Sequence, residues 1–238
     1  MYWGKVQMVN SDLAIIGMQK TKREVLLSNK IYYIVSVIAK RTIDITAGIV
    51  GMLILIPLTM ILYLVKVMER DKGPLFFTQE RIGKDGKLFK MYKFRTMIMN
   101  ADEELEKILE NNEQAREEYR IHKKLKNDPR VTKIGKFLRK TSLDEFAQFV
   151  NVLKGEMSLV GPRPYLPREK ADMGYYYENV IQCKPGITGL WQVSGRSEVS
   201  FEERLELDFK YYNNESVVGD VGLVLKTVVK TLKHEGAV

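Results

Sequence analysis

The stretch ITAGIVGMLILIPLTMILYLV, residues 45–65, decides the architecture, because it runs for 21 residues without a charge. As a helix at ~1.5 Å per residue it is about 30 Å long, the thickness of a bilayer's hydrocarbon core. It begins too late and runs too long for a secretory signal, and it leads directly to Lys66 and Arg70 instead of a small-residue cleavage site. Lys30, Lys40 and Arg41 precede it, and Lys66, Arg70, Lys72, Arg81 and Lys84 follow it. Cations at both ends place both ends in the cytoplasm. Pro57 supplies a cause for a helix that enters and returns, since it deletes one backbone donor and its ring clashes with the carbonyl four residues earlier. A kinked spanning helix is the alternative.

On the N-terminal side, Asp44 is a carboxylate at the membrane boundary, paired with Arg41 three residues earlier or solvated among headgroups. Ile31 to Ala39 is short and apolar with Tyr32 and Tyr33, which suits an interfacial approach. Residues 1–29 show no clear periodicity. The chain therefore divides into an interfacial or mobile segment over 1–39, a membrane helix over 40–66 and a catalytic domain over 67–238, large enough for one real core.

Lys and Arg outnumber Asp and Glu by 38 to 30, a formal charge of +8, so the partners are anionic: phosphorylated substrates, acidic headgroups or nucleic acid. The single cysteine, Cys183, excludes a disulfide framework and zinc-ligand spacing. His122 and His234 lie in Lys-rich stretches away from any candidate nucleophile, which argues against Ser-His or Cys-His catalysis. A carboxylate is the economical acid, base or nucleophile.

On the C-terminal side, Pro74 to Thr78 and Lys87 to Thr96 read as two strands of a hairpin around Gly83-Lys84-Asp85-Gly86. Alternation puts Lys93 and Arg95 on one face, where two cations can grip a diphosphate, although a solvated face is the commoner reason for such spacing. Residues 101–126, acids first and bases last, read as one exposed helix. From Leu143 onward the apolar spacing is helical, and Ser142 with Glu145 fits a capping box, the structural reason for that glutamate. A helix start favours anions, so Asp144 is expected to stay ionised, as a nucleophile or metal ligand must. Arg139 lies just upstream, and Arg163 stands between two prolines in Gly161-Pro162-Arg163-Pro164, a rigid turn that presents a planar fork suited to phosphate.

Taken together these segments resemble the monotopic phosphoglycosyl transferases, the bacterial sugar transferase family. The resemblance runs from about Lys40 to the C-terminus. It is carried by Lys40-Arg41 with Asp44, the proline-interrupted apolar run, FFTQERIG at 76–83, KFRTM at 93–97 and Asp128-Pro129-Arg130. It continues through TSLDE at 141–145, SLVGPRP at 158–164 and KPGITGLWQ at 184–192. One departure is Ile56, where a serine often precedes the helix-breaking proline.

The resemblance implies an α+β, mainly helical, monotopic membrane protein. Its re-entrant helix would break at Pro57, and a short hairpin and interfacial amphipathic helices would surround a cytosolic active site. It implies a transferase that moves a sugar-1-phosphate from a UDP-sugar to undecaprenyl phosphate in ping-pong fashion, releasing UMP, as a first membrane step of glycan synthesis. Asp144 would be the nucleophile and a ligand of Mg²⁺, with Glu145 as its partner. Arg139 and Arg163 would hold phosphates, helped by Lys93 and Arg95. The location would be the cytoplasmic face of the bacterial inner membrane. Membrane lipids would be partners, no nucleic acid is expected, and a homodimer stays open.

Trp191 and Arg196 in the glycine-rich stretch are candidates for stacking on uracil or choosing the sugar, with a core or interface anchor as the alternative for Trp191. Leu225, Val228, Val229 and Leu232 beside Lys226, Lys230 and Lys233 form the stripe of a basic interfacial helix, or of an ordinary core-facing one. Two rival classes are a hydrolase of lipid-linked diphosphates and a basic membrane-tethered binding protein.

Overall fold

The computed structural model describes residues 3–195 and 199–232, with side chains over 30–195 and 199–231. Two compact units result, Met1–Thr42 and Ile43–Val238. The first consists of the N-terminal part of helix α1 (Trp3–Met68) and exposes Ile31, Tyr32, Tyr33, Val35 and Ile38. Helix therefore begins at Trp3, well before Lys40 and in a region whose sequence has no readable periodicity.

Within the second unit, α1 has two unlike faces. Leu55 and Leu62 are buried with Phe94, Leu138 and Ala147, while Ile49, Val50, Leu53, Ile56, Met60, Ile61 and Leu64 stand exposed. The stretch Lys30–Met68 is long and apolar enough to cross a membrane. Pro57 lies inside the helix, and Thr59 Oγ1 donates to Leu55 O at 2.7 Å, a hydroxyl-to-carbonyl bond of the kind that bends helices. Asp44 takes neither of its two expected roles. It is buried, and its Oδ1 accepts from Ser158 Oγ at 2.8 Å and Leu159 N at 2.7 Å.

Strands β1 (Phe76–Ile82) and β2 (Leu88–Phe94) pair antiparallel, Phe76 opposite Phe94 and Ile82 opposite Leu88, around a turn in which Asp85 and Gly86 both have positive φ. The hairpin is where the sequence places it. Residues 101–126 differ from expectation: α2 (Ala101–Asn111) stops and α3 (Glu113–His122) restarts, because the Asn112 side chain accepts from Ala115 N at 3.0 Å and caps a second helix.

Helix α4 (Lys133–Thr141) ends at Ser142, whose φ of 58° is left-handed. A 3-10 segment, Leu143–Gln148, follows and runs straight into α5 (Phe149–Lys154). The expected capping box is not formed, since Ser142 is left-handed where an N-cap is ordinarily extended and makes no side-chain cap. Short β3 (Ser158–Val160) pairs in parallel with β4 (Gly186–Thr188), separated by α6 (Lys170–Met173) and α7 (Tyr177–Val180). This pairing needs glycine: a Cβ on Gly186 would lie 2.1 Å from Gly161 N. Helices α8 (Leu190–Ser194), α9 (Phe201–Asn214) and α10 (Val217–Leu232) complete the unit. On α10, Val221, Leu225, Val228 and Val229 are exposed while Leu223 is buried, so the apolar stripe faces away from the core. The Leu232 side chain and Lys233 lie outside the described residues.

The catalytic-side helices seat on α1 through glycine. A Cβ on Gly51 would stand 2.2 Å from Phe149 Cγ, and one on Gly48 2.6 Å from Leu153 Cδ2. Overpacking at such a contact costs about 1–3 kcal/mol, more than the ~1 kcal/mol that leaving glycine gains in helix propensity. Gly51→Leu is therefore expected to lower the melting temperature of the detergent-solubilised protein, and adding Phe149→Ala should recover part of the loss.

Candidate active site

The site is assembled around one left-handed residue. Ser142 N donates to Arg139 O at 3.1 Å as α4 closes, and the chain then reverses into the 3-10 segment. Arg139 on the last turn of α4 and Asp144-Glu145 on the first turn of that segment thus end up on either side of Ser142. Strand β2 brings Lys93, whose Nζ donates to Glu145 Oε1 at 2.8 Å and lies 3.8 Å from Asp144 Oδ2. Arg139 Nε donates to Thr96 Oγ1 at 3.1 Å.

The register between β2 and the carboxylates is held by Asn151, which is 0% exposed. Its Oδ1 accepts from Tyr92 N at 3.1 Å, and its Nδ2 donates to Lys90 O at 2.8 Å and Glu156 Oε2 at 2.7 Å. A buried amide that spends both ends on neighbouring chain fixes their separation, since leaving either end unpaired costs about 1–3 kcal/mol. Sequence reasoning passes over Asn151, which in isolation is one polar residue in an apolar helix.

Asp144 is 7% exposed. Burial pushes its carboxyl up to about 6 from the ordinary 3.8; Lys93 and Arg139 pull the other way, and the adjacent Glu145 adds to the rise. Desolvation outweighs the pull of a helix start on this six-residue 3-10 segment, although a carboxyl near 6 is still mostly ionised at pH 7. Glu145, more exposed, points to Lys93 instead of capping. Among the described residues no cluster of three or more His, Cys, Asp or Glu could cage a metal. Two adjacent carboxylates do fit Mg²⁺, which binds through one or two carboxylates and completes its shell with waters and substrate phosphate oxygens.

The second cationic group is built on the loop Gly161–Pro164. Arg163 N donates to Asp208 Oδ2 at 3.0 Å, and Tyr165 Oη donates to the same oxygen at 2.8 Å. Asp208 is wholly buried, which pushes it up to about 7 against those two hydrogen bonds. The Arg163 and Arg204 guanidinium carbons lie 5.5 and 5.6 Å from the Trp191 ring centroid. Trp191 is therefore half-buried beside two cations, with Nε1 buried and without a partner. Arg81 donates to Pro164 O at 2.8 Å and feels both Arg163 and Glu145, which links this loop to the carboxylate pair. Lys124 is pushed down to about 8, first by burial and then by Arg204 and Arg163, with Arg139 adding to the fall.

Not every expected residue joins. Arg95 turns away from the carboxylates to Asp71 and to Pro74 O at 2.7 Å, and its guanidinium fills the space beside Gly73. The cause is that β2 ends at Phe94, so strand alternation no longer ties Arg95 to the face of Lys93. Arg196 lies outside the described residues. Asp128 and Arg130 form a buried two-point ion pair, with Arg130 also donating to Ala101 O at 2.9 Å, a structural tie. Arg204 and Asp208, missed in the sequence, are four apart on α9, the spacing that puts two side chains on one helix face.

Residues 35–234 match the family model described as bacterial sugar transferase. The chain is 46% identical over 202 residues to an undecaprenyl-phosphate galactose phosphotransferase of Salmonella typhimurium, covering 83% of this chain and 41% of that protein. It is 44% identical over 199 residues to the exopolysaccharide production protein ExoY of Rhizobium meliloti, covering 84% and 88%. It is 39% identical over 217 residues to a UDP-glucose:undecaprenyl-phosphate glucose-1-phosphate transferase of Klebsiella pneumoniae, covering 85% and 42%. The chain thus spans about two-fifths of the length of the Salmonella and Klebsiella proteins.

Carboxylate-selective ¹³C NMR of the folded protein is expected to find Asp144 titrating near 6. In Lys93→Met it should titrate higher still, because the strongest charge favouring its ionised form is gone.

Proposed function

We propose, proceeding from the fact that this chain belongs to the bacterial sugar transferase family, that it transfers a sugar-1-phosphate from a UDP-sugar to undecaprenyl phosphate. The observation that carries this reading is a buried carboxylate, Asp144, faced by Lys93 and Arg139 on a segment whose Leu143, Phe146 and Ala147 pack with Leu55 and Leu62 of an apolar helix of membrane length.

In the first half-reaction an Asp144 oxygen attacks the β-phosphorus of the donor, and the bond from that phosphorus to the bridging oxygen breaks. UMP leaves with the bridging oxygen and its electron pair, and the phosphosugar stays on Asp144 as a mixed anhydride. In the second, an oxygen of the polyprenyl phosphate attacks the same phosphorus and returns the Asp144 carboxylate. Phosphoryl transfer asks mainly for positioning and charge stabilisation, which suits a site rich in lysine and arginine. Lys93 holds Glu145 in place beside the nucleophile and, with Arg139, favours the ionised Asp144 that attack requires. Arg163 is placed to hold phosphate oxygens with N–H groups that the protein does not use. Mg²⁺, bound through Asp144, would offset the charge of the diphosphate.

Membrane attachment supports the choice of acceptor. Cations flank both ends of the apolar run, Pro57 lies within it, and its outward residues are bare, which favours a helix that re-enters the cytoplasmic side. Nucleotide sugar and lipid phosphate then meet on one face of the inner membrane. The exposed apolar stripe of α10 beside Lys226 and Lys230 suits a seat in the same interface.

UMP release from a panel of UDP-sugars, with Mg²⁺ and with or without undecaprenyl phosphate, tests the reading. Lipid-dependent release and a lipid-linked sugar product are expected from one donor; free sugar phosphate as the only product would point to a hydrolase instead. Asp144→Asn is expected to abolish release and yet raise the melting temperature at pH 7. A buried carboxyl raised from 3.8 to about 6 loses stability as pH climbs through that window, and at ~1.4 kcal/mol per pH unit the neutral amide regains up to about 3 kcal/mol.

A further inference from the structure

Among the described residues, six buried side-chain polar atoms have no hydrogen-bond partner: Arg81 Nε, His122 Nδ1, Arg163 Nε, Trp191 Nε1, Gln192 Oε1 and Asp208 Oδ1. All but Gln192 Oε1 belong to residues linked in a single neighbourhood. Arg81 donates to Pro164 O, Arg163 N is held by Asp208, Arg163 and Arg204 flank Trp191, and Arg204 Nη2 donates to His122 O at 2.7 Å. Orphaned buried polar groups are rare in folded proteins, and their concentration at one place marks a site built for something else.

The charges there are equally unbalanced. No carboxylate lies within ion-pairing distance of Lys124, Arg163 or Arg204 among the described residues. Arg204 binds only carbonyls, at His122 and Val199, which anchor the turn carrying Lys124 to the start of α9. Among the described residues Lys124 makes no hydrogen bond, although it is half-buried. Two buried acids act on Arg204 without pairing with it: Glu169 Oε2 accepts from Leu166 N at 2.7 Å, and Asp208 spends one oxygen on Arg163 N and Tyr165 Oη while its raised affinity for a proton weakens it as a counter-charge. Three desolvated cations held together without an anion cost stability unless an anion arrives.

We propose that Lys124 and Arg204, with Arg163 and the Trp191 indole N–H, form a second phosphate subsite, distinct from Lys93 and Arg139 at the carboxylate pair. It takes a phosphate other than the one attacked by Asp144. Arg204 Nη2 donates to His122 O, two residues before Lys124, which brings the turn carrying Lys124 to Arg204, and Arg163 and Arg139 act on Lys124 as well. The phosphate has two sources, the nucleotide side of the donor or the lipid acceptor, and this assignment rests on the transferase reading above; the anion site itself does not.

Isothermal titration of the full chain in nanodiscs with inorganic pyrophosphate tests the subsite without turnover. Lys124→Gln, which breaks no hydrogen bond and removes a desolvated charge, should hold or raise the ligand-free melting temperature and is expected to bind pyrophosphate about tenfold more weakly, with Lys124→Arg binding near the wild-type level. Equal affinity in wild type and Lys124→Gln, or no binding by wild type, overturns the proposal. Steady-state kinetics then identify the source. A tenfold rise in KM for the UDP-sugar alone, at unchanged kcat, assigns the nucleotide phosphate, and the same rise for undecaprenyl phosphate alone assigns the acceptor. Lys124-dependent pyrophosphate binding in a protein that releases no UMP would sink the transferase reading and leave the subsite standing.

Discussion

The contact on which the rest depends is the side-chain-free approach of α5 to α1 at Gly48 and Gly51. Phe149 and Leu153 occupy the space that two Cβ atoms would need, so the position of α5 is set by the apolar helix. The 3-10 segment carrying Asp144 and Glu145 runs directly into α5, and Asn151 on α5 binds the backbone of β2, which carries Lys93. A second tie leaves α1 at Asp44, which binds the start of β3, and β3 leads into the Gly161–Pro164 loop with Arg163. Both halves of the candidate site are therefore referenced to one helix. A helix with one bare apolar face and one face bonded to polar machinery is the arrangement expected where lipid and water-borne reactants must meet.

The electrostatics of the two halves are opposite in kind. At the carboxylate pair, burial makes ionisation of Asp144 costly, and Lys93 and Arg139 offset part of that cost, leaving a carboxyl raised to about 6 that is mostly ionised at pH 7. Such a carboxylate is mostly ionised at neutral pH and weakly solvated in that form. Around Arg163 the imbalance has the other sign, with cations that lack carboxylate partners and N–H groups that lack acceptors. An anionic substrate bridging the two regions would relieve both.

Much of this was legible in the chain. The apolar run, the hairpin around Gly83–Gly86, and the closeness of Asp144 and Glu145 to Arg139 follow from runs, alternation and proximity in sequence, because those are local properties of the backbone, whereas Lys93 is joined to them only by the family resemblance. Ser142 and Arg95 show where local rules stop. The Ser142–Glu145 spacing is that of a capping box, yet Ser142 adopts φ 58° and its partner goes to Lys93, since a cross-chain ion pair outcompetes a cap worth ~1 kcal/mol. Arg95 shares the parity of Lys93 but lies past the end of the strand, where Asp71 and Pro74 claim it.

By itself the sequence determined the membrane-length helix, the hairpin and the family, because hydrophobic length, strand period and ordered motifs are all read along one dimension. Only the tertiary structure decided that Asp44 is a buried acceptor, that Asn151 fixes the register of the site, that Asp144 is raised instead of lowered, and that Lys124 and Arg204 join Arg163. Each of these depends on which distant groups are desolvated together, and desolvation belongs to the packed volume and not to the chain.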